Sequence, residues 1–289
     1  MYFNEDLILD VRLNTLNPFI DNFVIVESNF THSGEKKEFN FNINNYQKFK
    51  DKIIYIQVKD LPKNILNINS SDTKDEIKKK QILNALFIEN YQRNKISEGI
   101  KNFKSEDLIF ISDIDEIPNL AELNFKNIGN SIILFKQFFF HYKFNLYLNN
   151  FDWFGTKACL KKNFISPQWL RNIKNKKYSI LRLDTLFSKK KYSNIKMIER
   201  GGWHFTNVMD EEKMYYKIKS YLHHADFPDN LLKKETFRNL IENNEILYDH
   251  SIDKSKDRFS NPKKLDKFNN DMLPDYIKKN QDKFSEWLI

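Results

Sequence analysis

The sequence predicts an α/β domain built on a largely parallel sheet, and three observations support this prediction. Short runs dominated by apolar residues at 23–26, 53–58 and 108–111 are typical of buried strands. Segments with helical spacing of apolar residues lie around them, at 6–16 and between 73 and 99. Strands that alternate with helices indicate crossover units and parallel pairing.

Two helices are expected in the first hundred residues. The first covers 6–16, where apolar residues recur at helical spacing, and Pro18 ends it. The second follows Ser70–Asp72, which offer N-caps, and runs towards Gly99. The apolar face of the second helix is expected to carry Ile82, Leu83, Leu86, Phe87 and Tyr91.

The second half of the chain changes character beyond Pro228. Before it, 132–135 reads as a further strand, and the aromatic stretch 138–153 as strand and loop. After it the strand signals fade, and we expect a helical and loop-rich tail that ends in a helix at about 275–288. The predicted organisation is a main domain at 1–228 with an extension at 229–289 packed on the same domain.

Composition favours a globular protein with anionic partners. The chain has 289 residues, 40% hydrophobic and 30% charged, and a net charge of +8. A basic balance suits nucleic acid, a lipid surface or a phosphate-bearing substrate, and a generic basic surface is the alternative. The N-terminus shows no signal peptide, no apolar run approaches the ~18 residues of a membrane span, and the single cysteine indicates no disulfide. We therefore expect a cytoplasmic protein, with peripheral contact to an anionic membrane as an option.

Asp113 and Asp115 follow the apolar run 108–111 and form the first candidate site. Residues two apart on a strand point to one face, so the two carboxylates are expected to lie together. Carboxylate oxygens suit Mg²⁺ or Mn²⁺, and the carboxyl ends of strands form the ligand crevice of an open α/β sheet. A divalent-cation site is one interpretation, and an acidic turn leading into Pro118 is the other.

Further candidates are a histidine, the side chains of Glu27 and Arg93, and three carboxylates that could act as a general base. His204 follows Gly201 and Gly202, which would let the backbone approach a ligand; it is a candidate metal ligand or a packed core histidine. Glu27 ends a predicted strand and could accept hydrogen bonds from a nucleobase or ribose, or act only as a loop carboxylate. Arg93 could neutralise a diphosphate or be merely solvated. As general bases the sequence offers Asp226, Glu116 and Asp184, without a ranking among them.

Five motifs occur in order along the chain: Asn4-Glu5; Phe23 to Asn29 with Thr31 and Gly34; Gln92-Arg93-Asn94; Ser112 to Pro118; and Gly202-Trp203-His204-Phe205. Together they resemble glycosyltransferase family 17, which includes the β-1,4-mannosyl-glycoprotein N-acetylglucosaminyltransferase that adds bisecting GlcNAc. The Asp226-Phe227-Pro228 triplet and the tail at 273–288 are also similar. The vertebrate members carry a membrane anchor that is not seen here, so a microbial or viral surface glycan is the more natural acceptor.

The resemblance implies a GT-A (Rossmann-like) fold, a UDP-sugar donor with GlcNAc foremost, a divalent cation (Mn²⁺ or Mg²⁺) and inversion at the anomeric carbon. It implies that Asp115 binds the metal and that Asp113 holds the ribose or a metal-bound water. His204 matches a histidine that closes the site near the diphosphate. The resemblance also places Asn4, Glu5, Glu27 and Arg93 at the donor nucleotide.

Three other function classes fit the sequence less well. A phosphatase of the Asp-X-Asp type needs its pair on the first strand, whereas Asp113 and Asp115 follow the third. A nucleic-acid-binding protein is compatible with the charge, but no helix-turn-helix, zinc finger or RNP signature occurs, and we expect no nucleic acid as partner. An inactive glycan-binding relative would not need intact Asp113, Asp115 and His204.

Overall fold

Strands and helices alternate through the computed structural model, which describes residues 1–179, 181–185, 187–221, 233–246, 248 and 262–289. Within these ranges the chain is a mixed α/β protein with several sheets. Its helices are α1 (Asp6–Leu16), α2 (Lys74–Asn94), α3 (Ile96–Gly99), α4 (Pro167–Asn172), α5 (Glu211–Ser220), α6 (Lys234–Glu242) and α7 (Asp275–Lys279).

The strands of the same ranges are β1 (Phe23–Ser28), β2 (Ile53–Val58), β3 (Leu108–Ile111), β4 (Glu116–Pro118), β5 (Ile132–Phe135), β6 (Gln137–His141), β7 (Leu146–Trp153), β8 (Lys157–Leu160), β9 (Ile195–Ile198), β10 (Gly202–Thr206), β11 (Glu245–Ile246), β12 (Lys263–Lys264) and β13 (Asp266–Lys267). The predicted helix at 6–16 is confirmed as α1. The four predicted strands are confirmed as β1, β2, β3 and β5.

The chain divides into two compact units, each assembled from separate stretches of sequence. Unit 1 comprises Met1–Asn4, Asn22–Lys101 and Met209–Asn239, and unit 2 comprises Glu5–Asp21, Asn102–Val208 and Leu240–Ile289. The predicted domain boundary at residue 228 falls outside the described residues, so that division stays a prediction.

Unit 1 is built around the parallel pair of β1 and β2. Their registers align apolar residues along both strands, with Phe23 opposite Ile53 and Val26 opposite Ile56. Gly99, at the end of α3, lies directly against the side chains of Val24 and Ile56. This close approach is available only to a residue without a side chain, and it seats α3 on the two strands.

The long helix α2 begins with a capping box. Thr73 Oγ1 accepts a hydrogen bond from the Glu76 N–H (3.3 Å), and the Glu76 carboxylate accepts one from the Thr73 N–H (2.8 Å). The expectation of a cap within 70–72 is therefore wrong by one residue. Asp72 instead forms an ion pair with Lys80, at 2.6 Å.

The face that α2 buries also differs from the predicted one. Its buried residues are Ala85, Ile88, Gln92 and Arg93, whereas Leu86 is exposed. Gln92 donates to the Phe30 carbonyl (3.0 Å), and Arg93 forms an ion pair with Glu89 (2.5 Å). Polar groups with such partners can be buried at little cost in free energy. A prediction from hydrophobicity alone therefore identified the wrong face of α2 as the buried one.

Unit 2 holds two mixed sheets. Their strand orders are β3-β8-β5-β9 and β13-β7-β6-β10-β4. Among the strands described in these sheets, only β5 with β9 and β6 with β10 pair in parallel. The largely parallel sheet expected from the sequence is thus not confirmed. Only four residues separate β6 from β7, and so short a link can join antiparallel neighbours but not parallel ones.

The core of unit 2 is aromatic. Its largest fully buried side chains include Phe135, Phe139, Phe140, Phe144 and Phe205. They explain the aromatic stretch at 138–153, which forms β6, a short turn and β7. Aromatic rings bury more apolar area per residue than aliphatic side chains, so these strands can be short and still form a core.

The predicted C-terminal helix at about 275–288 is wrong in its length. Helix α7 ends at Lys279, and a short 3-10 turn follows at Ser285–Trp287. Between them Phe284 is fully buried and packs edge-to-face on Phe144, with 5.5 Å between ring centroids. The described residues contain no helix long and apolar enough to cross a membrane.

Gly202 permits the pairing of β10 with β4. Its φ is +122°, and a Cβ would overlap the carbonyl oxygen of Ile117. At Gly201 a Cβ would lie 2.6 Å from the Lys136 backbone nitrogen. The expectation that these glycines leave room for a ligand is therefore wrong, because the protein's own backbone fills the space.

We expect Gly202→Ala to lower the free energy of unfolding by about 3 kcal/mol or more, since it combines an unfavourable φ with a backbone clash. Gly129→Ala is the matched control. Gly129 also has a positive φ (+55°), but a Cβ there would meet nothing within 4 Å, so about 1 kcal/mol is expected. Urea unfolding measures both. Equal losses in the two variants would contradict the proposed role of Gly202.

Candidate active site

The two aspartates lie in a turn of unit 2 and not on a strand. Strand β3 ends at Ile111, and residues 112–115, called here the acidic turn, connect it to β4. The Glu116 N–H donates to the Asp113 carbonyl at 3.2 Å, as in a β-turn. The expectation that alternation on a strand aligns Asp113 with Asp115 is therefore wrong.

Arg12, on α1, holds the main chain of the acidic turn. Its guanidinium donates to the carbonyl oxygens of Glu116 (2.6 Å) and Asp113 (3.2 Å) and to Ser112 Oγ (2.6 Å). Burial lowers the pKa of Arg12 to about 10, against the opposing effect of the carboxylates of Glu116, Asp115 and Asp113. Arg12 therefore remains a cation at neutral pH, and three of its partners are backbone or hydroxyl oxygens of one segment.

Glu116 is the buried anion beneath the acidic turn. One carboxylate oxygen accepts from Trp153 Nε1 (2.8 Å) and Arg171 Nη2 (3.0 Å). The other accepts from Arg171 Nη1 (2.6 Å) and the Asp113 N–H (2.8 Å). With four donors on a carboxylate that has no exposed surface, Glu116 is fully satisfied. This geometry favours a positioning role, and the predicted catalytic role of Glu116 stays a prediction.

Arg171, on α4, connects Glu116 to the first aspartate. Its Nη2 lies 2.9 Å from Asp113 Oδ2, and its Nη1 also donates to the Gly155 carbonyl. A planar guanidinium can hold two carboxylates in fixed directions, which an ammonium cannot. Arg171 thus sets the orientation of the Asp113 carboxylate, about a third of which is exposed.

Lys157, on β8, anchors the helix that carries Arg171. Its ammonium donates to the carbonyl oxygens of Arg171 (2.8 Å) and Ile173, at the end of α4. Burial, with a smaller contribution from the charge of Arg171, lowers the pKa of Lys157 to about 7. A lysine at a helix C-terminus satisfies carbonyl groups that have no partner within the helix.

The second aspartate faces His204. Asp115 Oδ1 lies 3.4 Å from His204 Nε2, and the Phe205 N–H donates to the Asp115 carbonyl at 2.8 Å. Thr206 Oγ1 lies 2.9 Å from the same ring nitrogen. Strand β10 therefore fixes both the histidine and the main chain of Asp115.

The His204 ring is held in an aromatic setting. It stacks on Trp153 at 4.7 Å between centroids and tilts against Phe139 at 4.9 Å. Its Nδ1 is buried and has no hydrogen-bond partner among the described residues. A buried polar atom without a partner is uncommon and suggests a group that the protein chain does not supply.

The predicted metal ligands are Asp113, Asp115 and His204. Asp115 and His204 lie together as one carboxylate and one imidazole, while Asp113 is engaged by Arg171. No group of three or more His, Cys, Asp or Glu that could hold a metal ion occurs in the described ranges. One carboxylate and one imidazole are ligand types that a divalent cation accepts, and the predicted metal site stays a prediction.

Glu27, in unit 1, is occupied by its own loop. Its carboxylate accepts hydrogen bonds from Lys37 Nζ (2.7 Å), the Asn40 N–H (2.7 Å), the Phe41 N–H (3.0 Å) and the Tyr55 hydroxyl (2.8 Å). Burial and the bond to Glu27 raise the pKa of Tyr55. Glu27 thus holds residues 37–41 in place, and a nucleoside would have to displace one of these donors to bind it.

The other predicted donor-binding residues are distributed over both units. Arg93 is buried in unit 1 and pairs with Glu89. In unit 2, Glu5 is buried, and its carbonyl accepts the Leu9 N–H at the start of α1 (2.8 Å). Asn4 ends the first segment of unit 1. Their nucleotide-binding role stays a prediction.

The remaining candidate bases differ in what the structure shows. Asp226 lies outside the described residues. Asp184 is an exposed residue that pairs with Arg182 (2.8 Å) and Lys191 (2.7 Å). These hydrogen bonds lower its pKa to about 2, and so weakly basic a carboxylate is a poor acceptor for a hydroxyl proton.

Sequence reasoning missed the cationic framework of the site. Arg12 lies among the apolar residues of α1, and Arg171 and Lys157 lie far along the chain from the acidic turn. No motif marks them. The sequence offered one signal: two or three neighbouring carboxylates need cationic partners. That need predicts that positively charged side chains lie nearby, but it does not identify which arginine or lysine they are.

A family model described as glycosyltransferase family 17 matches residues 1–289, the whole chain. No curated protein and no solved structure matches. The resemblance drawn from the five motifs is thereby confirmed, over both units.

We expect Glu116→Gln to lower the free energy of unfolding by about 3 kcal/mol, because it leaves the Arg171 cation without its buried partner. Glu199→Gln is the control, since Glu199 is an exposed residue that pairs with Lys136 at 3.1 Å; its loss should be below about 1 kcal/mol. Urea unfolding at neutral pH measures both variants. A loss in Glu116→Gln no greater than in Glu199→Gln would contradict the role given to the buried pair.

Proposed function

Because the chain belongs to glycosyltransferase family 17 and is thus a glycosyltransferase, we propose that it is an inverting, metal-dependent enzyme. It would transfer a sugar, GlcNAc in the first instance, from a UDP-sugar to a hydroxyl group of a glycan acceptor. A microbial or viral surface glycan is the acceptor class we propose, and the cytoplasm the location. The sugar and the nucleotide rest on the family resemblance, whereas the acceptor class and the location are carried over from the expectations drawn from the sequence.

The pairing of Asp115 with His204 carries the metal-dependent part of the proposal. Their side chains lie 3.4 Å apart, both largely buried, and each is fixed by β10. Asp115 and His204 would hold a divalent cation, Mn²⁺ or Mg²⁺, by one oxygen and one nitrogen. When bound, such a cation neutralises the charge that develops on a leaving diphosphate.

Asp113 would take a different task from Asp115. Its carboxylate is directed by Arg171 and is partly exposed, which suits a hydrogen bond to a ribose hydroxyl or to water. Arg12 and Glu116 would keep the acidic turn in one conformation through catalysis. A site that is preorganised in this way does not have to reorient its dipoles as charge develops.

Inversion requires one displacement at the anomeric carbon. The acceptor oxygen forms a bond to that carbon, the bond to the diphosphate oxygen breaks, and the electron pair leaves with the diphosphate. The acceptor proton goes to a carboxylate within hydrogen-bond reach. Asp226 is the candidate we retain first, because the carboxylate of Glu116 already accepts four hydrogen bonds.

A GT-A arrangement is part of the same proposal. The parallel β1–β2 pair in unit 1 supports it, as does the acidic turn after the short buried strand β3 in unit 2. Donor binding by Asn4, Glu5, Glu27 and Arg93 belongs to the proposal as well. Glu27 would then act through the loop that it holds rather than by direct contact with a nucleoside.

Slow donor hydrolysis tests this function without an acceptor. A panel of UDP- and GDP-sugars is incubated with the protein and Mn²⁺, with and without EDTA, and the released sugar is measured. We expect turnover of a UDP-sugar, UDP-GlcNAc first, and its loss with EDTA. Asp115→Asn should lower turnover on the order of 10²-fold, whereas the control Asp184→Asn, at an exposed residue, should not.

Full turnover in excess EDTA would exclude the metal-dependent mechanism. Faster turnover of GDP-sugars would overturn the nucleotide assignment and leave the metal site intact. Equal losses in Asp115→Asn and Asp184→Asn would contradict the role given to Asp115.

A further inference from the structure

One segment of unit 2 carries most of the net charge of the chain. Residues 174–191, called here the basic loop, contain seven basic side chains and one acidic one, a net charge of +6 where the whole chain carries +8. The basic residues are Lys174, Lys176, Lys177, Arg182, Lys189, Lys190 and Lys191. Elsewhere positive and negative charges nearly cancel, so the positive field of this protein is local.

The same loop exposes large apolar side chains. Leu181 and Phe187 are each 89% exposed, and Leu183 is 74% exposed. These are the three most exposed large apolar residues in the described part of the chain. Isolated apolar residues at a surface are ordinary, but several on one short loop indicate a binding surface.

The base of the loop is held by defined contacts. The Lys174 N–H donates to the Lys190 carbonyl (2.8 Å), and the Tyr178 N–H donates to the Tyr192 carbonyl (3.1 Å). Trp169 Nε1 lies within hydrogen-bond distance of the Tyr192 hydroxyl, at 3.1 Å. The apolar side chains are therefore presented by a closed loop.

The lysines at the two ends of the loop are available to a partner. Asp184 pairs with Arg182 and Lys191, which neutralises part of the charge beside the apolar residues. No ion pair within the described residues engages the exposed lysines Lys174, Lys176, Lys177, Lys189 and Lys190.

We propose that the basic loop docks this protein on an anionic lipid surface, with Leu181, Leu183 and Phe187 inserted among the acyl chains and the lysines at the headgroups. Apolar side chains flanked by lysines match the interface of a membrane, where the interior is apolar and the surface negative. A nucleic acid would satisfy the lysines and could stack a base on Phe187, but it would leave the aliphatic Leu181 and Leu183 in water. This surface goes beyond the transfer reaction and uses none of its residues.

Vesicle sedimentation tests the docking. We expect the protein to sediment with phosphatidylcholine vesicles that contain phosphatidylserine, not with phosphatidylcholine alone, and less as salt rises. Two multiple variants of the loop should each weaken vesicle binding about tenfold or more. One is the apolar variant Leu181→Ser/Leu183→Ser/Phe187→Ser, and the other is the basic variant Lys189→Ser/Lys190→Ser. The matched controls are Phe19→Ser/Phe125→Ser, an exposed aromatic pair of unit 2, and Lys78→Ser/Lys79→Ser, two exposed lysines of α2. Both controls should bind like the wild type.

A labelled loop tests insertion directly. Cys159 is the single cysteine and is buried, and burial raises the pKa of its thiol to about 12, so Leu183→Cys offers one reactive thiol for a polarity-sensitive dye. The emission should shift to the blue on phosphatidylserine vesicles, and that of Phe125→Cys should not. Three results would overturn the proposal. The first is binding of heparin or DNA as tight as that of vesicles, and the second is concentration-dependent dimerisation through the loop. The third is vesicle binding that is unchanged in both loop variants. None of these outcomes depends on sugar transfer, which is measured separately.

Discussion

The buried ion pair of Glu116 with Arg171 is the interaction on which the rest of the candidate site depends. A carboxylate without exposed surface is tolerable only when its lone pairs are satisfied, and here the guanidinium, Trp153 and the Asp113 N–H do so. The same guanidinium extends to the Asp113 carboxylate at 2.9 Å. Arg12 also binds carbonyl oxygens of the turn, so the segment is fixed by two arginines.

This constraint gives the two aspartates different surroundings. Asp113 is directed by Arg171, whereas Asp115 meets His204 on β10. On a strand, both carboxylates would point to one face, where they would repel each other or share one cation. The turn separates them, so that one can serve a cation and the other a neutral hydroxyl or water. The division of tasks thus follows from the backbone and not from the residue types, which are identical.

Much of this arrangement could be predicted, and the part that could not has a physical cause. Apolar runs identified β1, β2, β3 and β5 because buried strands need them, and helical spacing identified α1. Whether neighbouring strands run parallel or antiparallel could not be read from the sequence, because it depends on the lengths of connections between strands, such as 142–145. The buried face of α2 was missed because Gln92 and Arg93 find partners there. Arg12 and Arg171 could not be located, because pairing across about 50 to 100 residues leaves no local pattern.

Manganese affinity in the presence of UDP, measured by electron paramagnetic resonance, tests the central claim that Asp115 and His204 hold one cation. We expect Asp115→Ala and His204→Ala each to weaken Mn²⁺ binding at least about tenfold, and the double variant to be weakened by less than the product of the two. A melting temperature for each variant shows whether the fold survives. Wild-type Mn²⁺ affinity in a His204→Ala protein that has only lost stability would contradict this metal site and make His204 a core histidine.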